Sequence, residues 1–201
     1  GSEALYLDTE TTGLGGGTGN LAFLVGLCWY DSVAKRFVVE QHLLLDPADE
    51  AAMLDCVRHR IARAGFVVSY NGKSFDLPLL RARCVMNRAA ALPERPQLDL
   101  LHLVRRVHRQ RAWRKSLKVA EVEVLGFDRG PDVDGREVAQ RYAHFLRVGD
   151  KEGLLPLIEH NFHDVVSLVA LTGLYGEPLE TLLADDLAEA ARVFRRAGDL
   201  E

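Results

Sequence analysis

Asp8 and Glu10 flank Thr9 at the end of a short apolar run, residues 3–8, that reads as a β-strand. Side chains two apart on a strand leave the same face, so both carboxylates enter one volume. Like charges that close repel unless a cation lies between them, and hard oxygen donors suit Mg²⁺ or Mn²⁺. A third acid, Asp76, follows Asn71-Gly72 at the start of a helical pattern, just beyond a second apolar strand. Strand ends are where ligands gather in α/β sheets. A fourth, Asp164, closes the string His160-Asn161-Phe162-His163-Asp164 inside a strongly apolar helical stretch. His160 and Asp164 are i and i+4 and share a face, whereas His163 is turned away by about 100°. An acid between Phe162 and Val165 is costly to bury alone, so it needs a partner or a metal. Each signal also has an ordinary reading: solvated acids, an Asn-Gly turn before a helix, an i,i+4 ion pair. Together, four carboxylates and a histidine are the set that two-metal phosphoryl chemistry requires. Cations about 3.5–4 Å apart activate a water and stabilise the departing oxygen, while a nearby base takes the water's proton.

The elements that must position these groups follow from patterning. Residues 21–30 and 36–45, rich in Val, Phe, Leu and Tyr and split by a turn, read as two antiparallel strands. Pro47, Asp49 and Glu50 open a helix that Gly65 stops. Residues 66–70 form a buried strand, 75–87 a helix, and Pro93 and Pro96 mark a loop. Helical patterns follow over 100–107, 116–125, 136–148, 154–174 and 180–196. Three antiparallel-looking strands, then strand–helix alternation, then helices, predict an α/β mixed sheet with helices on its faces. The glycine-rich stretch 13–19 lacks the G-K-[ST] ending of a P-loop and does not fit G-x-G-x-x-G before a helix, so it reads as a loop.

Composition bounds the rest. A chain of 201 residues with 48% hydrophobic and 27% charged residues is an ordinary packed globular chain, which excludes intrinsic disorder as its main state. Its apolar stretches fall short of the roughly 20 residues that span a bilayer. Cys28, Cys56 and Cys84 form no metal-spaced cluster and read as reduced core residues of a cytoplasmic protein. The Gly1-Ser2 opening, with no initiator Met, reads as a cloning remnant on an excised piece. Seven Lys/Arg and no acid lie between Arg105 and Lys118, in a chain of net charge −4. That segment, with Trp113 inside it, reads as a phosphate-neutralising stretch with an aromatic to stack on a base, or else as a solvated helix face with Trp113 packed on the domain. An all-acid cleft needs such a positive wall to admit a polyanion. Ser116 and Lys118, in S-L-K, are the phosphate-contact candidates.

Y-L-D-T-E-T-T-G-L (residues 6–14), S-Y-N-G-K-S-F-D (69–76) and H-N-F-H-D-V-V-S-L (160–168) resemble the three motifs of the DEDD, or DnaQ-like, 3′–5′ exonucleases, in the same order. The intervening Q-L-D-L-L-H-L-V-R-R, S-L-K-V-A-E-V-E-V-L-G, D-V-D-G and F-L-R-V-G-D are similar to the bacterial YprB-type subgroup. The resemblance covers residues 4–177 and implies a ribonuclease-H-like fold over 1–177: a mixed sheet of three antiparallel strands then parallel strands, flanked by helices. It implies two divalent cations, Mg²⁺ or Mn²⁺, held by Asp8, Glu10, Asp76 and Asp164. Asp8 would bridge both ions, Glu10 and Asp164 would complete the site that activates water, and Asp76 would serve the other ion. Asn71 would touch the nucleic-acid backbone, and Thr11 and Leu14 the terminal nucleotide. The superfamily places a Tyr four residues before the last Asp or a His five before it; here His160 stands four before, on Asp164's face, as general base or as orienter of the water.

The sequence therefore predicts a metal-dependent 3′–5′ exonuclease on single-stranded nucleic acid, with DNA ahead of RNA. The resemblance suggests a role in DNA repair beside a helicase. An RNA-trimming enzyme of the same fold, or a non-catalytic nucleic-acid-binding module of a larger repeat protein, are the alternatives; the intact carboxylate set speaks against a relic site. Residues 178–201 read as a C-terminal helix, either plain and amphipathic or the truncated start of a tetratricopeptide-like region.

Overall fold

The computed structural model describes residues 4–13 and 19–176. Its five-stranded sheet has the order β3-β2-β1-β4-β5. Strand β1 (Ala4–Thr11) pairs antiparallel with β2 (Ala22–Asp31), which pairs antiparallel with β3 (Arg36–Leu43). On its other side β1 runs parallel to β4 (Phe66–Ser69), and β4 runs parallel to β5 (Gln97–Asp99). The mixed α/β sheet expected from the sequence is therefore present, with β1 at its centre and covered on both faces.

Alternation along β1 divides its side chains between two cores. Leu5 and Leu7 join one cluster with Met53, Leu54, Val57 and Ile61 of α1 (Glu50–Arg63), Leu77 and Leu80 of α2 (Asp76–Met86), and Tyr142 and Phe145 of α5 (Gly135–Val148). Tyr6 joins the opposite cluster with Leu100 of α3 (Leu100–Val107) and with Val165, Leu168 and Leu171 of α6 (Leu155–Tyr175). Asp8 and Glu10 continue Tyr6's face, so the pleat aims both carboxylates at α6. Tyr142 docks α5, stacking on Phe23 with centroids 4.0 Å apart and donating its hydroxyl proton to the Leu44 carbonyl at 3.0 Å.

Four details depart from the sequence reading. Strand β1 runs three residues past Asp8, to Thr11, with an irregular register between Glu10 and Thr11. Where a proline loop was expected, residues 97–99 add the fifth strand. The single helix expected over 116–125 is a short α4 (Leu117–Ala120) that widens into a π-turn, Glu121–Leu125, closed by Gly126 at φ +66°. Cys56 is exposed, whereas Cys28 and Cys84 are core residues as expected. The expected helix over 180–196, and with it the repeat reading of 178–201, lies outside the described residues, as does Leu14.

Candidate metal centre

The four carboxylates arrive on three elements: Asp8 and Glu10 on β1, Asp76 on α2 and Asp164 on α6. Asp8 pairs across the sheet with Gly26 of β2. A Cβ on Gly26 would sit 2.3 Å from Asn161 Oδ1 and 2.7 Å from Val165 Cγ2, so the bare glycine is what lets α6 lie against the sheet here. The close approach puts the buried Asn161 amide on Asp8: Nδ2 donates to Oδ2 at 2.9 Å. Asn161 Oδ1 in turn accepts from Gln41 Nε2 at 2.9 Å, and Gln41 also donates to the Ile158 carbonyl at 2.8 Å.

Asp76 opens α2 and is brought in by the turn after β4. Asn71 adopts φ +67°, a left-handed geometry that asparagine tolerates better than most residues. A Cβ on Gly72 would lie 2.5 Å from Ser69 Cβ, so only glycine passes there. Asp99, at the end of β5, braces this turn by accepting from the Asn71 N–H at 2.8 Å and the Lys73 N–H at 3.2 Å. The Thr9 hydroxyl donates to Asp76 Oδ1, joining the β1 end to the α2 start.

From α6, Asp164 and His160 face Glu10. His160 Nε2 lies 3.7 Å from Glu10 Oε1 and 3.5 Å from Asp164 Oδ2. Its Nδ1 lies 2.6 Å from Asp132 Oδ1. An ionised carboxylate can only accept, so Nδ1 carries a proton and, in the neutral imidazole, the Nε2 lone pair points into the site. Arg129, from the loop after the π-turn, donates through Nη2 to Asp164 Oδ1. The structure thus brings Asp8, Glu10, Asp76, His160 and Asp164 together. Thr11 sits at the end of β1, where its hydroxyl donates to the Gly13 carbonyl at 2.8 Å. Asn71 is exposed at the β4 edge, Ser116 precedes α4, and Lys118 is exposed with Nζ 3.5 Å from Asp132 Oδ2.

Electrostatics marks this cluster as one that wants a cation. Burial, and then repulsion from Asp164, Asp76 and Glu10, raises the Asp8 carboxyl well above its ordinary value. Burial raises Glu10 to about 7, against the pull of His160 and with a push from Asp164. Burial raises Asp76 to about 6 although the Thr9 hydrogen bond opposes it. Asp164 is also raised by burial, against His160 and Arg129. Burial works against a charged imidazole at His160, but Asp164, Glu10 and Asp132 outweigh it and raise its pKa. Glu10 Oε1 is buried with no hydrogen-bond partner, and Glu10, His160 and Asp164 offer ligand atoms within 4.8 Å of one another. An orphaned carboxylate oxygen in an oxygen-dominated donor set fits a hard divalent cation.

Sequence reasoning missed several residues of this site. Asn161 sits between two histidines with no periodic signal of its own, and Asp132 and Glu121 stand out only through the family likeness of the strings that contain them. Arg129, the partner that Asp164 was expected to need, sits in a loop without periodicity. Of the two readings of Trp113, the packed one describes its surroundings: Lys115 Nζ sits 3.7 Å from its ring centroid and His108 packs beside it. This chain's own cation covers that ring.

No described helix is long and apolar enough to cross a membrane. The chain is similar to the uncharacterized protein YprB of Bacillus subtilis (strain 168), 38% identical over 168 residues, which is 83% of this chain and 40% of that protein. A stretch of 78 residues, 38% of this chain, is 38% identical to 11% of the DNA-directed DNA polymerase of Escherichia phage T7. The chain thus spans less than half the length of these curated relatives. In fold it is similar to the family B DNA polymerase of Pyrobaculum calidifontis, with TM-score 0.67 and 16% identity over 86% of this chain and 24% of that one. The family profile of the RNase_H superfamily matches residues 5–175, which takes in all of the sheet but Ala4 and every carboxylate of the site. With that match, and this sheet topology, the chain belongs to the RNase_H superfamily.

Proposed function

We propose that the protein is a metal-dependent 3′–5′ exonuclease that hydrolyses phosphodiester bonds of single-stranded nucleic acid, DNA in preference to RNA, by a two-metal-ion mechanism. The observation that carries this reading is the convergence of Asp8, Glu10, Asp76 and Asp164, with Glu10 raised to about 7 and Asp76 to about 6. Acids that resist ionising together are relieved by divalent charge. Asp8, Glu10, Asp76 and Asp164 would hold the two divalent cations, Mg²⁺ or Mn²⁺. When bound, the cations supply water activation and stabilisation of the departing oxygen. His160, with Nδ1 turned to Asp132, presents Nε2 as the acceptor of the water's proton.

Substrate contacts fall to Thr11 and Leu14 at the terminal nucleotide, Asn71 on the backbone, and Ser116 and Lys118 on phosphate. The exposed Lys118 ammonium near Asp132 supports the last assignment. Tyr70, next to Asn71, donates its hydroxyl proton to the Lys115 carbonyl at 2.9 Å, which ties the basic segment to the same sheet edge. Superfamily membership and similarity to two DNA polymerases favour a nucleic-acid substrate and DNA over RNA. A role in DNA repair beside a helicase, in the cytoplasm, extends the same reading.

Mass spectrometry of the products from single-stranded DNA and RNA oligonucleotides with Mn²⁺ tests it. Nucleoside 5′-monophosphates released from DNA 3′ ends are expected. Release from RNA alone would move the assignment to RNA trimming, and binding without release to a non-catalytic module.

A further inference from the structure

Arg129 is the least expected member of the site. Its side chain is 2% exposed, and its guanidinium is shared among three acids. Nε donates to Glu121 Oε2 at 2.6 Å and Nη2 to Glu121 Oε1 at 2.5 Å, a bidentate fork on a side chain with no exposure. Nη2 also donates to Asp164 Oδ1, and Nη1 lies 3.6 Å from Asp132 Oδ2. The fork needs both neighbouring irregularities: the π-turn carries Glu121 inward, and Gly126 and Gly130, at φ +66° and +71°, fold the intervening loop back over α6.

A buried ion pair seldom repays its own desolvation, so stability alone is a poor reason for this one. Its geometry has a more specific consequence. Asp164 has two oxygens, and the structure divides them: Oδ1 goes to Arg129, while Oδ2 faces His160 Nε2 and the Glu10 side of the site. Glu121 fixes the guanidinium, so the guanidinium in turn fixes the Asp164 rotamer.

We propose that Arg129 is a positioning residue for Asp164, holding Oδ1 so that Oδ2 alone is presented to the catalytic cation. The proposal rests on the nuclease reading above for its effect on turnover, but its effect on metal binding is independent of any substrate. Lysine cannot replace Arg129 on this account, because a point charge does not make the fork. Groups that orient metal ligands from behind typically change metal affinity or activity by about 10–100-fold when removed.

The test measures Mn²⁺ affinity by calorimetry, and separately kcat and KM on an oligonucleotide, for Arg129→Ala, Arg129→Lys and the double variant Arg129→Met/Glu121→Gln. The double variant removes both buried charges and keeps the test sound if a single change unfolds the chain. We expect Mn²⁺ affinity to fall at least about tenfold and kcat by about 10–100-fold, with KM within a few-fold, in every variant that retains a cooperative unfolding transition. Added guanidinium ion, below denaturing concentration, partly restores Arg129→Ala, and ammonium ion does not. Wild-type Mn²⁺ affinity in a folded double variant, or full function of Arg129→Lys, would overturn the proposal. If the wild type cleaves nothing yet Arg129→Ala loses Mn²⁺ affinity, the nuclease reading fails and the positioning role stands.

Discussion

The side-chain amide of Asn161 holds Asp8 Oδ2 at 2.9 Å, linking the central strand to a helix 153 residues away in sequence. The contact exists because residue 26 is glycine and because Gln41 fixes the far side of the Asn161 amide. Four elements, β1, β2, β3 and α6, therefore set the position of one carboxylate.

Gly26→Ala tests that dependence. The added methyl would meet Asn161 Oδ1 at 2.3 Å and Val165 Cγ2 at 2.7 Å, so α6 must shift away from the sheet. Such overpacking costs about 1–3 kcal/mol, or roughly 2–4 °C in melting temperature for each kcal/mol in a chain of this size. Thermal unfolding checks the loss, and cleavage should fall further than stability explains, because Asn161 leaves Asp8.

Stability without metal should decline as pH rises. Glu10 at about 7 and Asp76 at about 6 lie above ordinary carboxylate values, so the folded state binds more protons than the unfolded state between about pH 4.5 and 7. The unfolding free energy therefore falls as pH rises through that window, and the raised His160 contributes in the same direction. Melting temperatures of EDTA-treated protein should be higher at about pH 5.5 than at about pH 7.5. Mn²⁺ should reverse the order, since ionised ligands bind it better. A flat profile in EDTA would mean that burial and mutual repulsion do not raise these carboxylates.

Asp132→Asn should separate His160 from its orienting partner while leaving the metal ligands in place. An amide can accept or donate at the Nδ1 side, so the tautomer with a free Nε2 lone pair is no longer enforced. The expected outcome is a drop in kcat of about 10–100-fold with Mn²⁺ affinity nearly unchanged. Parallel cleavage kinetics and calorimetry distinguish this from the Arg129 variants, in which both fall.

The exposed Arg105, Arg106 and Arg114 should set affinity for the strand and leave the chemistry alone. Replacing all three by Ala should raise KM with kcat little changed. The slope of log affinity against log salt should shrink by about 0.7 for each phosphate that is no longer neutralised. Fluorescence anisotropy with a labelled oligonucleotide across a salt series reads both quantities.

The parts of the site carried by regular pattern were legible before the fold was known. Tyr6, Asp8 and Glu10 share a strand face by alternation, and His160 and Asp164 share a helix face by their four-residue spacing, so those directions followed from the period alone. What escaped depends on irregular or long-range structure. Three residues, 97–99, are too few to show alternation, yet Asp99 braces the Asn71 turn from there. The helical period runs unbroken through 121–125, and only the π-turn reveals that Glu121 points inward. Arg129 meets Asp164 across 35 residues from an aperiodic loop. Trp113 shows an ambiguity of another kind: an aromatic among cations suits base stacking or packing alike, and here Lys115 and His108 pack against it.

The most direct test of the central claim is a cleavage time course on 5′-labelled single-stranded DNA and RNA, with Mn²⁺, Mg²⁺ or EDTA, comparing the wild type with Asp8→Ala. The account predicts a ladder that shortens from the 3′ end with either metal, stops in EDTA, and is absent from Asp8→Ala even though that variant stays folded. Cleavage that persists in EDTA, or an Asp8→Ala variant as active as the wild type, would contradict it.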